Sequence, residues 1–239
     1  MNNDHNAFQL WRNGQLNEAV QLLFGEIELN KDNSGSYCNL ASILTLAKKY
    51  EDAQAVLEVA LEKFPNHIEL VYAFGNLYYQ RNMPRKAIEY FEQVFKINET
   101  NFKKDATVML AQSYLLLNSP KKALIYLLIA HDNDKQDSLI INLLGDCMMQ
   151  TRHFKEAKEY YMQVLEKSPE NDEVLFKRGL VGAALKEERE TVNAFFEKSK
   201  IINPKAHQER LCQLQDSEKY SSTLSAKMIN NEAKERKDG

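Results

Sequence analysis

Glycine and proline are scarce in this 239-residue chain, which holds 8 Gly and 5 Pro, where average usage puts roughly 12% of a sequence in those two residues. The scarcity disfavours a turn-rich β-sandwich or a collagen-like chain. Cysteine is sparse as well. Cys38, Cys147 and Cys212 are odd in number and show no CxxC spacing, so neither a disulfide framework nor a thiolate metal site is expected; reduced thiols in a cytoplasmic protein are. No excess of positive charge exists either. With 31 Lys plus Arg against 34 Asp plus Glu the net charge is -3, which leaves no basic field to neutralise nucleic-acid phosphates or an anionic membrane. Apolar runs such as Leu124 to Ala130 fall far short of the roughly 20 residues of a membrane span. The start, Met1 to Leu10, lacks the basic cluster and apolar run of a secretory signal. What is present is 44% hydrophobic and 27% charged, enough apolar material for a sizeable core and too much for a disordered polymer.

Motifs that carry chemistry are missing too. There is no Gly-rich phosphate loop, HExxH, paired CxxC or GxSxG, and His5, His67, His131, His153 and His207 are scattered at distances that fit no ligand motif. Asp132-Asn133-Asp134 resembles the opening of a calcium loop, but Asp137 stands where its glycine should be and Leu143 where its bidentate glutamate should be. A polar turn is the better reading. No converging acid, base or nucleophile can be assembled, so an enzyme, a resident metal and a cofactor are not expected.

Against these absences stands a period. Small residues recur at Ala7, Ala41, Gly75, Ala111, Gly145 and Gly179, at separations of 34, 34, 36, 34 and 34. Twelve residues behind them run Ala19, Ala53, Ala87, Ala123, Ala157 and Thr191 in the same rhythm. Small residues at helical spacing mark places where two helices approach closely. Between the two series each unit carries apolar residues at helical spacing, as in Tyr37, Leu40, Ala41, Leu44 and then Ala53, Leu57, Ala60. Pro84 and Pro120 sit where a helix begins, and Pro65 and Pro169 where one must stop. Each unit is therefore read as two helices joined by a short turn. The 36-residue interval marks a two-residue insertion near Phe102 and Lys103.

These residues resemble the tetratricopeptide repeat (TPR) family, whose 34-residue pattern places a large residue, Leu, Gly or Ala and Tyr in a first helix, then Ala, an aromatic and Ala in a second, then Pro. Ile141, Leu144, Gly145, Ala157, Tyr161 and Pro169 match it in one copy, and Val71, Phe74, Gly75, Tyr78, Ala87 and Phe91 in another. The end copies depart, with Asn6 in place of Leu, Gly182 in place of Tyr and Thr191 in place of Ala. The resemblance implies an all-α fold, a right-handed α-solenoid superhelix of helix-turn-helix repeats over 1–33, 34–67, 68–101, 104–137, 138–171 and 172–205. A capping helix is expected over 206–215, with Leu211 and Leu214 on the last repeat, followed by a polar tail over 216–239 whose only periodic feature is Tyr220, Leu224, Met228.

In that family the second, fifth, ninth and twelfth places of each first helix line a concave groove. Here the fifth places are Asp4, Cys38, Tyr72, Val108, Asn142 and Phe176. The ninth are Phe8, Ser42, Asn76, Gln112, Asp146 and Leu180, and the twelfth Trp11, Thr45, Tyr79, Leu115, Met149 and Ala183. Amides beside rings suit a peptide, so Tyr72, Asn76, Tyr79, Gln112, Asn142 and Asp146 are the candidate partner-binding residues. Packing of the same rings against neighbouring helices is the competing reading for Tyr72 and Tyr79. Glu69, Asp105 and Glu173 with Asp4 and Asp146 give the face an acidic lean and point to a basic segment, though carboxylates in a first turn also offset the helix dipole. The Lys-and-Asn clamp that some family members use for chaperone C-termini is absent, because Tyr72 stands in the place of the Lys. The expected role is a cytoplasmic adaptor that binds a peptide or helix of another protein, with no nucleic acid and no membrane. The alternative is a structural homo-oligomer, such as a homo-dimer, built through the end repeats or the tail, and the tail stripe is a candidate to dock on the solenoid or on a second copy.

Overall fold

A computed structural model describes residues 3–97 and 102–215, with side chains from residue 6 onward. The tail stripe of Tyr220, Leu224 and Met228 lies outside the described residues. The described chain is helical throughout and contains no strand. It divides into two compact units between Thr151 and Arg152.

The first unit holds α1 (Asn3–Arg12), α2 (Leu16–Leu29), α3 (Ser34–Leu46), α4 (Tyr50–Lys63), α5 (Ile68–Gln80), α6 (Pro84–Lys96), α7 (Lys103–Leu116), α8 (Pro120–Asn133) and α9 (Ser138–Gln150). Each helix packs on the next in sequence, and α3 also touches α1 and α5, while α7 touches α9. That pattern of neighbours is a stack of helix pairs in which odd-numbered helices form one layer.

Each helix starts and stops for a local reason. Asn33 accepts from the Gly35 N–H, and Asp137 from the Leu139 and Ile140 N–H groups, satisfying donors that the first turn leaves open. Pro84 and Pro120 occupy the first turns of α6 and α8, where a missing N–H costs nothing. The odd helices end in a left-handed residue, Gly14, Lys48, Asn82, Asn118, Arg152 and Lys186, with φ between 51° and 82°. The residue after it bonds back across the last turn: Lys49 N–H to Leu44 O at 2.8 Å, Met83 to Tyr78 at 2.9 Å, Ser119 to Tyr114 at 2.9 Å. This is a Schellman turn, and its repetition fixes the angle at which each pair folds back.

The two small-residue series lie in the core. Ala7, Ala41 and Ala111 and their followers Ala19, Ala53, Ala87 and Ala123 are all essentially inaccessible. Where the first-series residue is Gly75, a Cβ would come within 2.4 Å of the Phe91 ring, so only glycine lets α5 and α6 close over that aromatic.

The second unit holds α10 (Phe154–Lys167), α11 (Asp172–Ala184), α12 (Arg189–Ile202) and a helical run over 204–215. Here the expected second series fails by one residue. Thr191 is exposed and Val192 is buried in its stead. The reason is the turn: α6 begins two residues after the left-handed Asn82, but α12 begins three after Lys186, so every later core position moves on by one. Gly182 also has a reason. The Arg178 guanidinium, only 4% exposed, and the Glu187 carboxylate fill the space above it, where a tyrosine ring would otherwise stand. Over the end of this unit the 204–215 run packs through His207, which is buried against Phe176 and Phe196, and through Arg210, paired with Asp172 at 2.8 Å. Leu211 and Leu214 are only half-buried.

Candidate functional site

Four odd-numbered helices of the first unit bring one face together. Phe8 of α1, Ser42, Thr45 and Leu46 of α3, Ala73, Asn76, Tyr79 and Gln80 of α5, and Met109 and Gln112 of α7 line a groove of about 450 Å³. The floor is therefore built from successive repeats, each contributing about one turn. Ninth and twelfth places supply Phe8, Ser42, Thr45, Asn76, Tyr79 and Gln112. The sixth and thirteenth places, Ala73, Met109, Leu46 and Gln80, complete it and were not singled out from the sequence. Their signal was there: at 100° per residue they lie beside the ninth place on the helix surface.

Fifth places behave differently. Cys38 and Val108 are buried, and in the second unit Phe176 is too. These three are packing positions and not groove positions. Tyr72 belongs with them. Its ring sits between Phe91, at 5.6 Å between centroids, and Phe102, at 5.3 Å. It stands one turn before Asn76 on the same side of α5, beside the groove. Burial, with the Asp105 charge, pushes the Tyr72 hydroxyl above the usual tyrosine range, and burial does the same for Tyr79. Both stay neutral and available as hydrogen-bond donors at physiological pH. Asn142 and Asp146 are half-buried on α9 and do not line this groove.

No lining residue of the groove is charged. Amides and hydroxyls from Ser42, Thr45, Asn76, Gln80 and Gln112 alternate with Phe8, Leu46, Tyr79 and Met109, so the surface offers both donors and acceptors for a peptide backbone and apolar contact for its side chains. The acidic lean read from the second places lies outside it.

Other groups considered for chemistry have structural roles. Burial pushes the Cys38 and Cys147 thiols up to about 12, well away from thiolate reactivity. Asp132 closes the last turn of α8, Asp134 caps that helix and is held by Lys104 at 3.2 Å, and Asp137 caps α9, so the calcium-like acids serve helix ends. Among the described residues no group of three or more His, Cys, Asp or Glu is arranged to hold a metal ion, and no helix is long and apolar enough to cross a membrane.

With the helix pairs and their left-handed turns in place, comparison with known families is direct. Two tetratricopeptide repeat models match, over residues 44–101 and 140–171. Residues 44–101 and 140–171 carry tetratricopeptide repeats. The chain's fold is the all-α solenoid of that family, as solved structures show. PilW, a type IV pilus biogenesis factor, superposes with a TM-score of 0.77 at 16% identity over 87% of this chain and 96% of its own. PilF of Pseudomonas aeruginosa gives 0.72 at 14% over 88% and 96%. YrrB, described as a TPR protein with an unusual peptide-binding site, shares 28% identity over 77% of this chain and 93% of its own, with a TM-score of 0.58. No curated protein matches by sequence. TPR proteins of this kind are protein-interaction scaffolds, and that is the role these comparisons support.

Proposed function

We propose that this chain is an adaptor that binds a peptide segment of another protein in the groove between α1, α3, α5 and α7. The observation that carries the reading is the groove itself: about 450 Å³, uncharged, with hydroxyls and amides from three successive repeats interleaved with rings and aliphatic groups. A peptide laid across it meets Ser42, Asn76 and Gln112 in turn, one per repeat, while Phe8, Tyr79 and Met109 take its side chains. The lack of lysine and arginine in the lining argues for an internal segment and against capture of a terminal carboxylate. The peptide-binding description of YrrB, the most identical of the three relatives above, favours the same use of the fold.

The test is capture of partners from a native extract on immobilised protein, followed by measurement of the identified segment's affinity for a Tyr79→Ala, Gln112→Ala double variant. Loss of at least about tenfold in affinity with helicity unchanged is expected, since a buried aromatic anchor commonly carries about 2 kcal/mol or more. Full affinity in the folded double variant would move the site elsewhere.

A further inference from the structure

The groove above uses the side of α3 that carries Ser42, Thr45 and Leu46. The opposed side of the same helix, with Tyr37 and Leu40, floors a second concavity of about 320 Å³. Its walls are Phe24 and Ile27 of α2 and Ala55, Val56 and Val59 of α4. The lining is apolar apart from the tyrosine hydroxyl, and it is open: Phe24 is 48% exposed and Val59 57%. Large apolar side chains grouped in a surface groove mark an interaction site more often than scattered ones do.

The charges around it say what fits. Helix α2 carries Glu18, Glu26 and Glu28 with no Lys or Arg, and α4 carries Glu51, Asp52, Glu58 and Glu62 against Lys63 alone. Glu28 lies one turn beyond Phe24, Asp52 one turn before Val56, and Glu62 one turn beyond Val59, so carboxylates bracket the apolar floor. Two nearby cations are engaged elsewhere, and Lys31, Lys48 and Lys49 stand in the turns that flank α2 and α4. Lys63 pairs with Asp32 at 3.1 Å and lies over the Phe64 ring, and Arg81 pairs with Glu51 at 3.1 Å, leaving Glu28, Asp52 and Glu62 as the exposed rim.

We propose that this second groove docks an amphipathic helix of a partner protein, with its apolar stripe against Phe24, Val56 and Val59 and with lysines or arginines meeting Glu28, Asp52 and Glu62. A groove between two helices takes a third through anchors at i, i+3 or i+4 and i+7. The rim adds selection, because an acidic helix of the same shape would place like charges together. The chain then holds two segments at once, an uncharged one on one side of α3 and a basic helix on the other, and the two sites are separable by mutation.

Two fluorescent synthetic peptides of about 18 residues, with the same leucine stripe at helical spacing and either Lys or Glu at the remaining positions, test this by anisotropy against the full chain. The Lys peptide is expected to bind at least about tenfold more tightly than the Glu peptide, and to weaken as salt screens the rim. Val59→Asp should weaken the Lys peptide about tenfold or more although it adds a negative charge, because it removes the apolar anchor. Asp52→Lys with Glu62→Lys, both at exposed positions, should reverse the preference. These two substitutions carry the test if Val59→Asp loses helicity. Tyr79→Ala should leave Lys-peptide binding unchanged. Equal affinity for the two peptides, failure of both to bind, or indifference to the rim reversal would each overturn the proposal.

Discussion

The left-handed residue that ends each odd helix is where single side chains matter most. Glycine or asparagine is the comfortable occupant, and Gly14, Asn82 and Asn118 follow that preference, whereas Lys48, Arg152 and Lys186 adopt the same φ with a full side chain. Lys48→Gly is therefore expected to stabilise the first unit by about 0.5–1 kcal/mol, after allowing for the added freedom of the unfolded chain. A higher urea midpoint with an unchanged slope is the reading that checks it. In the second unit the critical residue is Glu187. It pairs with buried Arg178 at 2.8 Å and with Lys158 at 2.7 Å, and Arg178 lies over the Phe195 ring. Glu187→Gln leaves the guanidinium buried beside a neutral group and should cost about 3 kcal/mol. The Lys158 hydrogen bond, with the adjacent Arg178, holds the Glu187 carboxyl below its ordinary 4.5. The native state thus favours the ionised form, and its contribution is complete above about 4.5 and disappears as pH falls through the lowered folded value. Acid titration of stability should show that loss in the parent chain and a weaker one in Glu187→Gln.

At the scale of helices, the pairing of small against large is the rule that organises the stack. Gly75 meets Phe91 and Gly179 meets Phe196, while the copies with Ala41 and Ala111 carry the smaller Leu57 and Leu127, both buried, sixteen residues later. Gly75→Ala should therefore destabilise despite its better helix propensity, since its Cβ has no room beside a fully buried ring. Phe91→Leu leaves a cavity. Together they reproduce the Ala–Leu pairing of the neighbouring copies, and a double-mutant cycle should show about 1–3 kcal/mol of favourable coupling. Additivity would show that the two positions do not share space. The period and the helix pairs were legible in the sequence, because small residues at 34-residue intervals are a direct trace of close helix crossings. Two features were not. The extra residue between Lys186 and Arg189 moved the buried position from Thr191 to Val192, because turn length is invisible to a count that assumes a constant interval. The burial of Cys38 and Val108 at fifth places was not legible, because a helical wheel gives direction but not how near the next helix stands. Cys38 and Val108 are covered, Tyr72 is wedged between Phe91 and Phe102, and the groove rotates toward Ala73, Met109, Leu46 and Gln80.

For the molecule as a scaffold, the consequence is that the proposed binding surface is made by repetition. No single helix forms the uncharged groove; α1, α3, α5 and α7 each add one or a few side chains, and the rigidity comes from cores of Leu40, Leu70, Leu77 and Leu110 that are completely buried behind it. On the proposed reading, a segment laid along the groove meets Ser42, Asn76 and Gln112 at repeat spacing, and binding requires the stack to stay intact along its run. Hydrogen–deuterium exchange of the full chain, alone and with its captured partner segment, tests this most directly. Exchange slowed in α3, α5 and α7, with Tyr79→Ala, Gln112→Ala abolishing the effect, is the expected result. Slowing confined to α11, α12 and 204–215, with 34–116 unchanged, would contradict it.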